Sequence, residues 1–214
     1  MGRIPQDAAD ARRKLRYWER FYGRPQECLP LTRFELDAFR RHVAPERGQV
    51  AIDVGCGRGT LAAAMARTGM TVTGYDWSRA AVTVARDRHW SKRLGFAVHD
   101  FLTDDLPPGL EPGSVDVVAC RLTMTYLEPG RFLEGVRHWL RPGSGCLYLV
   151  VQVTERQQSG HRLVGYPETV IEGIRAGWRD STRWNLDPGG RVTALVLRGP
   201  LQPLTSSITS GGSR

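Results

Sequence analysis

The segment VAIDVGCGRGTL, residues 50–61, joins a short apolar run to glycines at alternate positions, Gly55, Gly57 and Gly59. An alanine-rich helical pattern follows at once, and Asp53 stands two residues before the first glycine. Glycines let a strand turn sharply into a helix and let a ligand approach bare backbone. The segment therefore predicts a strand–turn–helix unit with a ligand site at the turn.

The composition is that of a single α/β domain. The chain has 214 residues, of which 41% are hydrophobic and 24% charged, ordinary values for a globular protein. It has no apolar run of about 18 residues and no apolar leader, so we expect no membrane span and a cytoplasmic location. The 4 cysteines lack paired spacing. They predict reduced thiols, with no disulfide framework and no metal site.

The net charge of +8 allows partners such as nucleic acid, anionic lipid or an acidic small molecule. Most of the arginines are scattered along the chain, and no appended nucleic-acid module is visible. Aromatic and basic residues do not interleave as single-strand binding favours, which argues against a nucleic-acid partner. One basic concentration, residues 12–24, could attract an anion or form the solvated face of a helix.

From residue 49 onward, strand and helix patterns alternate. Their continuous apolar runs are typical of a parallel sheet covered on both faces. The chain closes with two strands around Asp187-Pro188-Gly189-Gly190, which predicts an antiparallel hairpin. We expect a helical cap or lid at residues 1–46, the main domain at 47–199 and a disordered tail at 200–214. Predicted helices are 7–22, 32–43, 60–67, 78–90, 131–140 and 167–177; predicted strands are 50–54, 70–75, 95–99, 115–120, 145–153, 182–186 and 191–198.

Acidic residues close the second and third strands. Asp76 follows the glycines by about 20 residues, where doubly wound folds offer a carboxylate to ribose hydroxyls. Asp100 closes the next strand and is followed by Phe101. The glycine spacing is neither that of dinucleotide enzymes nor that of a triphosphate loop, which would carry a lysine. The strand ends share one sheet edge, where ligands of such folds bind.

Five segments taken together resemble the class I S-adenosylmethionine-dependent methyltransferases. They are AIDVGCGRG, VTGYDWS, HDFLTDDLP, SVDVVACRLTMTYL and WLRPGSGCLYLV, in the order and spacing of that family. The resemblance covers roughly residues 47–198. It implies a doubly wound, mostly parallel seven-stranded α/β sheet with helices on both faces and a C-terminal antiparallel hairpin. LRPGSG departs from the usual L-x-P-G-G by a serine, which should alter only a turn.

The resemblance also implies how S-adenosyl-L-methionine would bind. The backbone at Gly55, Gly57 and Gly59 would pass under its methionine part and ribose. Asp53 would hold its amino group, directly or through water. Asp76 would take the ribose hydroxyls; capping the next helix is the alternative for Asp76, although Ser78 suits that position.

The remaining cofactor contacts have plainer alternatives. Trp77 would pack beside the adenine and Phe101 would flank it, but both could belong to the core. Asp100 would accept from the adenine amino group, or it could be an ordinary turn residue. Arg121 would pair with the cofactor carboxylate, or it could be a surface arginine.

Candidates for the acceptor side are fewer. His161 and Tyr126 are the candidate catalytic residues, and either could serve as a modest general base. Trp18, Phe21 and Tyr22 could close an apolar pocket over cofactor and acceptor, or they could equally attach their helix to the domain. Tyr166 is a further candidate beside the substrate, since its segment lies near the edge where an acceptor would enter.

We expect methyl transfer to an oxygen or nitrogen of a small molecule, with S-adenosyl-L-homocysteine as product and a monomer or homodimer as the working state. The chain has no Asn/Asp-Pro-Pro-Tyr motif after the fourth strand, which argues against methylation of adenine in DNA or of protein glutamine. The alternatives are a methyltransferase acting on RNA or protein, a dinucleotide-dependent dehydrogenase, and a non-catalytic protein that binds S-adenosylmethionine.

Overall fold

The computed structural model of the chain describes residues 8–24, 29–103, 107, 109–157 and 164–201, and for residues 8–12 the backbone alone. The predicted tail lies outside this range except for residues 200 and 201. Within the described residues, no helix is long and apolar enough to cross a membrane.

Helices and strands alternate through most of the chain. The first half contains α1 (Ala8–Tyr22), α2 (Arg33–Val43), β1 (Val50–Val54), α3 (Thr60–Arg67), β2 (Thr71–Asp76), α4 (Arg79–Arg88) and β3 (Leu94–Val98). The second half contains β4 (Val117–Arg121), α5 (Pro129–Trp139), β5 (Cys146–Gln152), α6 (Glu168–Ala176), β6 (Trp178–Asn185) and β7 (Val192–Pro200), with single 3-10 turns at Met124–Tyr126 and Thr154–Arg156.

The seven strands form one sheet in the order β3-β2-β1-β4-β5-β7-β6. The first five strands run parallel, and β7 lies antiparallel between β5 and β6. The order steps outward from β1 in both directions, which leaves a crevice at the carboxyl ends of β1 and β4. The predicted doubly wound sheet with an antiparallel hairpin is confirmed.

Helices cover both faces of the sheet. Phe39 of α2, Met65 of α3 and Val82 of α4 belong to one buried cluster. Trp139 of α5 and Ile171 of α6 belong to the cluster on the other face. Every residue of β5 is buried, as expected for a central strand, and each large side chain removed from water contributes about 1.5–3 kcal/mol to stability.

The helix α2 belongs to the body of the domain and not to a cap. Phe39 packs edge-on against Tyr148 of β5 with ring centroids 4.9 Å apart. Thr32 caps the helix, accepting from the Glu35 amide at 3.1 Å. Within the predicted cap at residues 1–46, which stays a prediction, α2 packs on the sheet and its apolar face completes the core.

The largest boundary error is at β6, which begins at Trp178 and not at the predicted residue 182. The two residues after Trp178, Arg179 and Asp180, are exposed and charged, a pattern more typical of a loop than of a strand. They are accommodated because β6 is an edge strand whose outer side faces solvent.

Candidate active site

A cavity opens at the carboxyl ends of β1, β2 and β4, under helix α1. The turn after β1 forms its floor, and side chains from the three strand ends form its walls. Of the site residues predicted from sequence, those that line it are Trp18, Tyr22, Asp53, Gly55, Gly57, Asp76, Trp77, Asp100, Phe101, Arg121 and Tyr126.

Two glycines of the turn are required by close approach as well as by backbone angle. Gly55 and Gly57 have φ of 70° and 52°, a region that residues with a side chain rarely adopt. A Cβ on Gly55 would lie 2.2 Å from the Thr123 side chain, and one on Gly57 would lie 2.7 Å from the Tyr22 hydroxyl. Both glycines line the cavity, and the Thr123 and Tyr22 side chains occupy the space in which their own side chains would stand.

The third glycine serves another purpose. Gly59 does not line the cavity; a Cβ there would lie 2.5 Å from the Phe96 ring and 3.1 Å from Ala85. The structure does not bring Gly59 to the cavity lining, and its contact with a cofactor stays a prediction. Its φ of 78° starts α3, and its missing side chain lets the turn pack against β3 and α4.

Asp76 fixes the shape of the glycine turn. One of its carboxylate oxygens accepts from the Gly57 amide at 2.9 Å and the other from the Ser78 amide at 2.9 Å. Ser78 caps α4 by accepting from the Ala81 amide, so Asp76 is not needed as the helix cap. Burial raises the pKa of Asp76 to about 6, against the lowering effect of the two amides. Each oxygen keeps a lone pair for a ligand hydroxyl.

Asp53 is the least satisfied polar group at the cavity. Its side chain is only 1% exposed, and neither carboxylate oxygen has a hydrogen-bond partner among the described residues. Burial raises its pKa to about 7, although the positive charge of Arg121 and the Ala62 amide, which lies outside hydrogen-bond geometry, oppose the shift. An unpartnered buried carboxylate is costly unless a ligand supplies the partner. A cationic donor such as an ammonium group fits this position.

Arg121 lines the cavity, but its guanidinium is bound to other groups of the protein. Its guanidinium donates from Nε and Nη2 to the Glu35 carboxylate at 2.7 and 2.9 Å, and to the carbonyls of Leu29 and Pro30 at 2.9 and 3.3 Å. Glu35, itself buried, also accepts from the Tyr148 hydroxyl at 3.2 Å. The predicted pairing of Arg121 with a cofactor carboxylate is not supported, because a bidentate ion pair already balances its charge.

The β3 end of the cavity carries the predicted adenine contacts. Trp77 and Phe101 line it, and Phe101 also packs edge-on against His99 with centroids 4.5 Å apart, so this ring serves cavity and core together. One oxygen of Asp100 accepts from the Leu102 amide at 2.9 Å. Asp100 is thus a turn residue that keeps a second carboxylate oxygen beside the cavity.

Aromatic rings of α1 cover the cavity. The Trp18 ring stacks on Tyr22 at 5.6 Å and meets Tyr126 edge-on at 5.5 Å. Tyr22 lies directly against the glycine turn. These contacts combine the two alternatives considered for the N-terminal aromatics, since the same rings line the cavity and attach α1.

Polar contacts hold α1 in this position. The Glu19 carboxylate accepts from the amides of Arg79 and Ala80 at 2.8 and 3.1 Å, so it caps α4 from another helix. Arg58 of the glycine turn donates to the carbonyls of Tyr22 and Arg24. Acceptors at a helix start satisfy amides that the helix itself cannot.

Few of the predicted site residues lie at the end of the cavity near β4 and the Met124–Tyr126 turn. Tyr126 lines the cavity, and His161 lies outside the described residues. Tyr166 is buried in the core and donates to the Met124 carbonyl at 3.0 Å, so the structure does not bring it to the cavity lining. Among the residues that the structure describes, no cluster of His, Cys, Asp or Glu could hold a metal ion.

Residues 52–148 match a family described as a methyltransferase domain. A ubiquinone biosynthesis O-methyltransferase of Alkalilimnicola ehrlichii is 31% identical over 192 residues, which are 86% of this chain and 74% of that protein. The chain belongs to the class I S-adenosylmethionine-dependent methyltransferases. The resemblance inferred from the five sequence segments is confirmed.

The chain is also similar to two further methyltransferases. A ubiquinone biosynthesis O-methyltransferase of Ralstonia nicotianae is 36% identical over 110 residues, 50% of this chain, and this chain spans 45% of its length. A solved S-adenosylmethionine-dependent methyltransferase from Aquifex aeolicus superposes with a TM-score of 0.62 at 19% identity, covering 77% of this chain and 89% of that one. The second likeness shows the fold alone.

Several residues of this methyltransferase site were not predicted from the sequence. Glu35 could have been found, since it falls on the apolar face of α2, four residues before Phe39, where a charge signals a buried pair. Thr123, which packs on Gly55, gave no such signal. Neither did Leu122, whose φ of 58° is strained for a leucine and turns the chain away from β4 into the cavity wall.

Proposed function

We propose that this methyltransferase binds S-adenosyl-L-methionine in the cavity and transfers its methyl group to an oxygen atom of a small molecule. The observation that carries the proposal is the unpartnered carboxylate of Asp53 beside a bare glycine turn. An amino acid ammonium would satisfy that carboxylate without displacing any hydrogen bond. The names of the curated relatives favour an oxygen acceptor.

The other residues suit the remaining parts of such a ligand. Asp76 keeps an acceptor lone pair on each oxygen for two neighbouring ribose hydroxyls. Trp77 and Phe101 would enclose the adenine, and the second oxygen of Asp100 would accept from its amino group. The residues present therefore fit the cofactor.

When bound, the cofactor supplies a methyl group that its sulfonium makes electrophilic. The task of the chain is then to hold the acceptor oxygen in line with that methyl group and to exclude water. Trp18 and Tyr22 cover the cavity, and the Tyr126 hydroxyl would orient the acceptor hydroxyl or, as a phenolate, take its proton. His161 is the second candidate for that proton.

The cover formed by α1 favours a small acceptor over RNA or protein, because a macromolecule would have to displace Trp18 and the Glu19 contacts. The net charge of +8 is the feature that supports the macromolecular alternative. A salt-dependent affinity for bulk RNA would distinguish the two.

Calorimetry with S-adenosyl-L-homocysteine, followed by transfer of a labelled methyl group to panels of phenols, amines and bulk RNA, tests the proposal. We expect binding, and transfer to a phenol or catechol. Absence of binding would overturn the whole proposal. Transfer to amines or RNA would show that the acceptor is not an oxygen atom of a small molecule. Binding without any transfer would favour a regulatory protein that binds the cofactor.

A further inference from the structure

Asp53 and Arg121 carry opposite charges on neighbouring strands and line the same cavity, yet they do not pair. Residues 53 and 119 are register partners of β1 and β4, which places Arg121 one strand across from Asp53. A buried carboxylate without a partner next to a guanidinium is an unusual arrangement, because an ion pair would relieve it. Something must hold the guanidinium away.

Glu35 is that restraint. Its carboxylate takes the Nε and Nη2 atoms of Arg121 at 2.7 and 2.9 Å, a bidentate geometry that fixes the plane of the guanidinium. The carbonyl of Leu29 takes Nη1, and the Tyr148 hydroxyl holds Glu35 from the other side. Glu35 is only 2% exposed, so water competes weakly for these bonds.

We propose that Glu35 is a positioning residue: by holding Arg121, it keeps the Asp53 carboxylate available for the ammonium group of the methyl donor. The inference rests on the proposed function, since it requires a cationic ligand at Asp53. It assigns Arg121 no contact with the cofactor. Glu35 neutralises the charge of Arg121, so that Arg121 does not pair with Asp53.

Removal of the Glu35 charge gives this arrangement a measurable consequence. In Glu35→Gln the guanidinium is left with a weaker, neutral partner, while Asp53 offers a full charge one strand away. The resulting ion pair between Arg121 and Asp53 would compete with the ligand. It would also hold Asp53 ionised at pH values where the wild-type carboxyl group is protonated.

The titratable groups around these residues are few. Asp76 of β2 and the thiols of Cys56 and Cys120 face Asp53, and Glu35 of α2 and Tyr148 of β5 face Arg121. Burial raises the pKa of both thiols and of the phenol, which keeps them neutral between pH 6 and 8. A pH dependence of ligand binding in that interval therefore comes from Asp53, with Asp76 contributing at the lower end.

Calorimetric titration with S-adenosyl-L-homocysteine between pH 6 and 8.5 tests the proposal on the full chain. The wild-type affinity should rise with pH by about tenfold, because protonated Asp53 cannot hold an ammonium. Glu35→Gln should bind about tenfold or more weakly at pH 8 and lose most of that rise. Asp37→Asn, an exposed carboxylate on the same helix, should match the wild type.

Two more variants separate positioning from folding. Glu35→Asp keeps the charge and should keep the rise with pH. Glu35→Gln/Arg121→Met removes the competitor and should bind within about threefold of the wild type at pH 8.5, with the rise restored. If the double variant binds as weakly as Glu35→Gln, or if Glu35→Gln keeps the wild-type profile, the proposal is wrong. If the wild type itself does not bind, the proposed function fails instead.

Discussion

At the β1–β2 end of the cavity, two buried carboxylates and a turn of glycines set the chemistry. At the β4 end, the walls are Leu122, Thr123 and Tyr126, with Trp18 packed over them. The first end is built from backbone and from side chains at strand termini. The second depends on a strained turn and on a helix brought from elsewhere in the chain. The end that would hold the donor is thus built mainly by consecutive elements of the sheet domain, whereas the acceptor end depends more on distant packing.

The two ends also treat charge differently. Asp53 has no hydrogen-bond partner within the described residues, whereas Glu35 and Arg121 satisfy each other with several bonds. We propose that the Asp53 charge at the first end serves a ligand, whereas the paired charges at the second end serve the structure. Each prediction below changes one side of this contrast.

The largest effect is expected from Arg121→Met. It leaves Glu35 buried without its countercharge, which should lower the free energy of unfolding by about 3–5 kcal/mol. Urea denaturation measures the change. Arg40→Met breaks an exposed pair with Asp37 on the same helix, so it should leave the midpoint nearly unchanged. Equal effects of the two substitutions would show that the buried pair of Glu35 and Arg121 stabilises the fold no more than an exposed pair does.

Asp53→Asn should raise the free energy of unfolding, whereas Arg121→Met should lower it. The folded pKa of Asp53 is about 7, above the ordinary 3.8, so the folded protein holds a proton that the unfolded chain has released. Wild-type stability should therefore fall as pH rises from about 4 to about 7. Asp53→Asn should be more stable than the wild type above pH 7, by an amount on the order of a few kcal/mol.

The same substitution should weaken binding of S-adenosyl-L-homocysteine, so stability is gained and affinity lost together. Thermal melts at pH 5 and pH 8 and calorimetry at pH 8 provide the two readouts. A variant that is less stable than the wild type at pH 8 would show that Asp53 is satisfied within the protein.

Asp76→Ala should lose both stability and affinity, unlike Asp53→Asn. It leaves the amides of Gly57 and Ser78 without their acceptor and removes the proposed ribose contact. Affinity for S-adenosyl-L-homocysteine should fall by about 1–3 kcal/mol, the scale for a hydrogen bond to a charged group. Asp180→Ala, an exposed residue of β6, is the matched control. Unchanged affinity would exclude Asp76 from the binding site.

The smallest effect concerns two tyrosines at the β4 end. Tyr166→Phe removes one buried bond to the Met124 carbonyl and should cost about 1 kcal/mol of stability without altering turnover. Tyr126→Phe should lower turnover and leave the melting temperature nearly unchanged. Methyl-transfer assays and thermal melts measure both. The reverse pattern of results would indicate that the acceptor binds beside Tyr166 and not beside Tyr126.

The sequence allowed the sheet to be predicted because parallel strands are continuous apolar runs bounded by turns. The positions of Asp53 and Asp76 followed from that topology, since residues at strand ends share one edge. Arg121 was expected at the edge where the structure places it, but its ion pair with Glu35 was not predicted, because Glu35 is 86 residues away along the chain. Local patterns indicate that a charge is present. Its partner depends on packing between α2 and β4, which no local pattern records.

The same limit explains Tyr166 and Gly59. Both lie on segments near the cavity, and one side chain or one missing Cβ decides the direction in which each faces. Tyr166 turns into the core to reach the Met124 carbonyl, and Gly59 turns toward Phe96. Both residues were expected near the cavity from their place in the chain, whereas the direction in which each one faces depends on the packed neighbours.

The attachment of α1 has a consequence for exchange of its amide hydrogens. Glu19, Tyr22 and Arg58 connect this helix to the domain through side-chain and carbonyl contacts, whereas β5 is hydrogen-bonded on both edges. The helix can therefore open locally at a much lower free energy than global unfolding requires. A ligand that fills the space beneath Tyr22 would raise that opening free energy, so amide exchange in α1 reports occupancy of a cavity that α1 itself only covers.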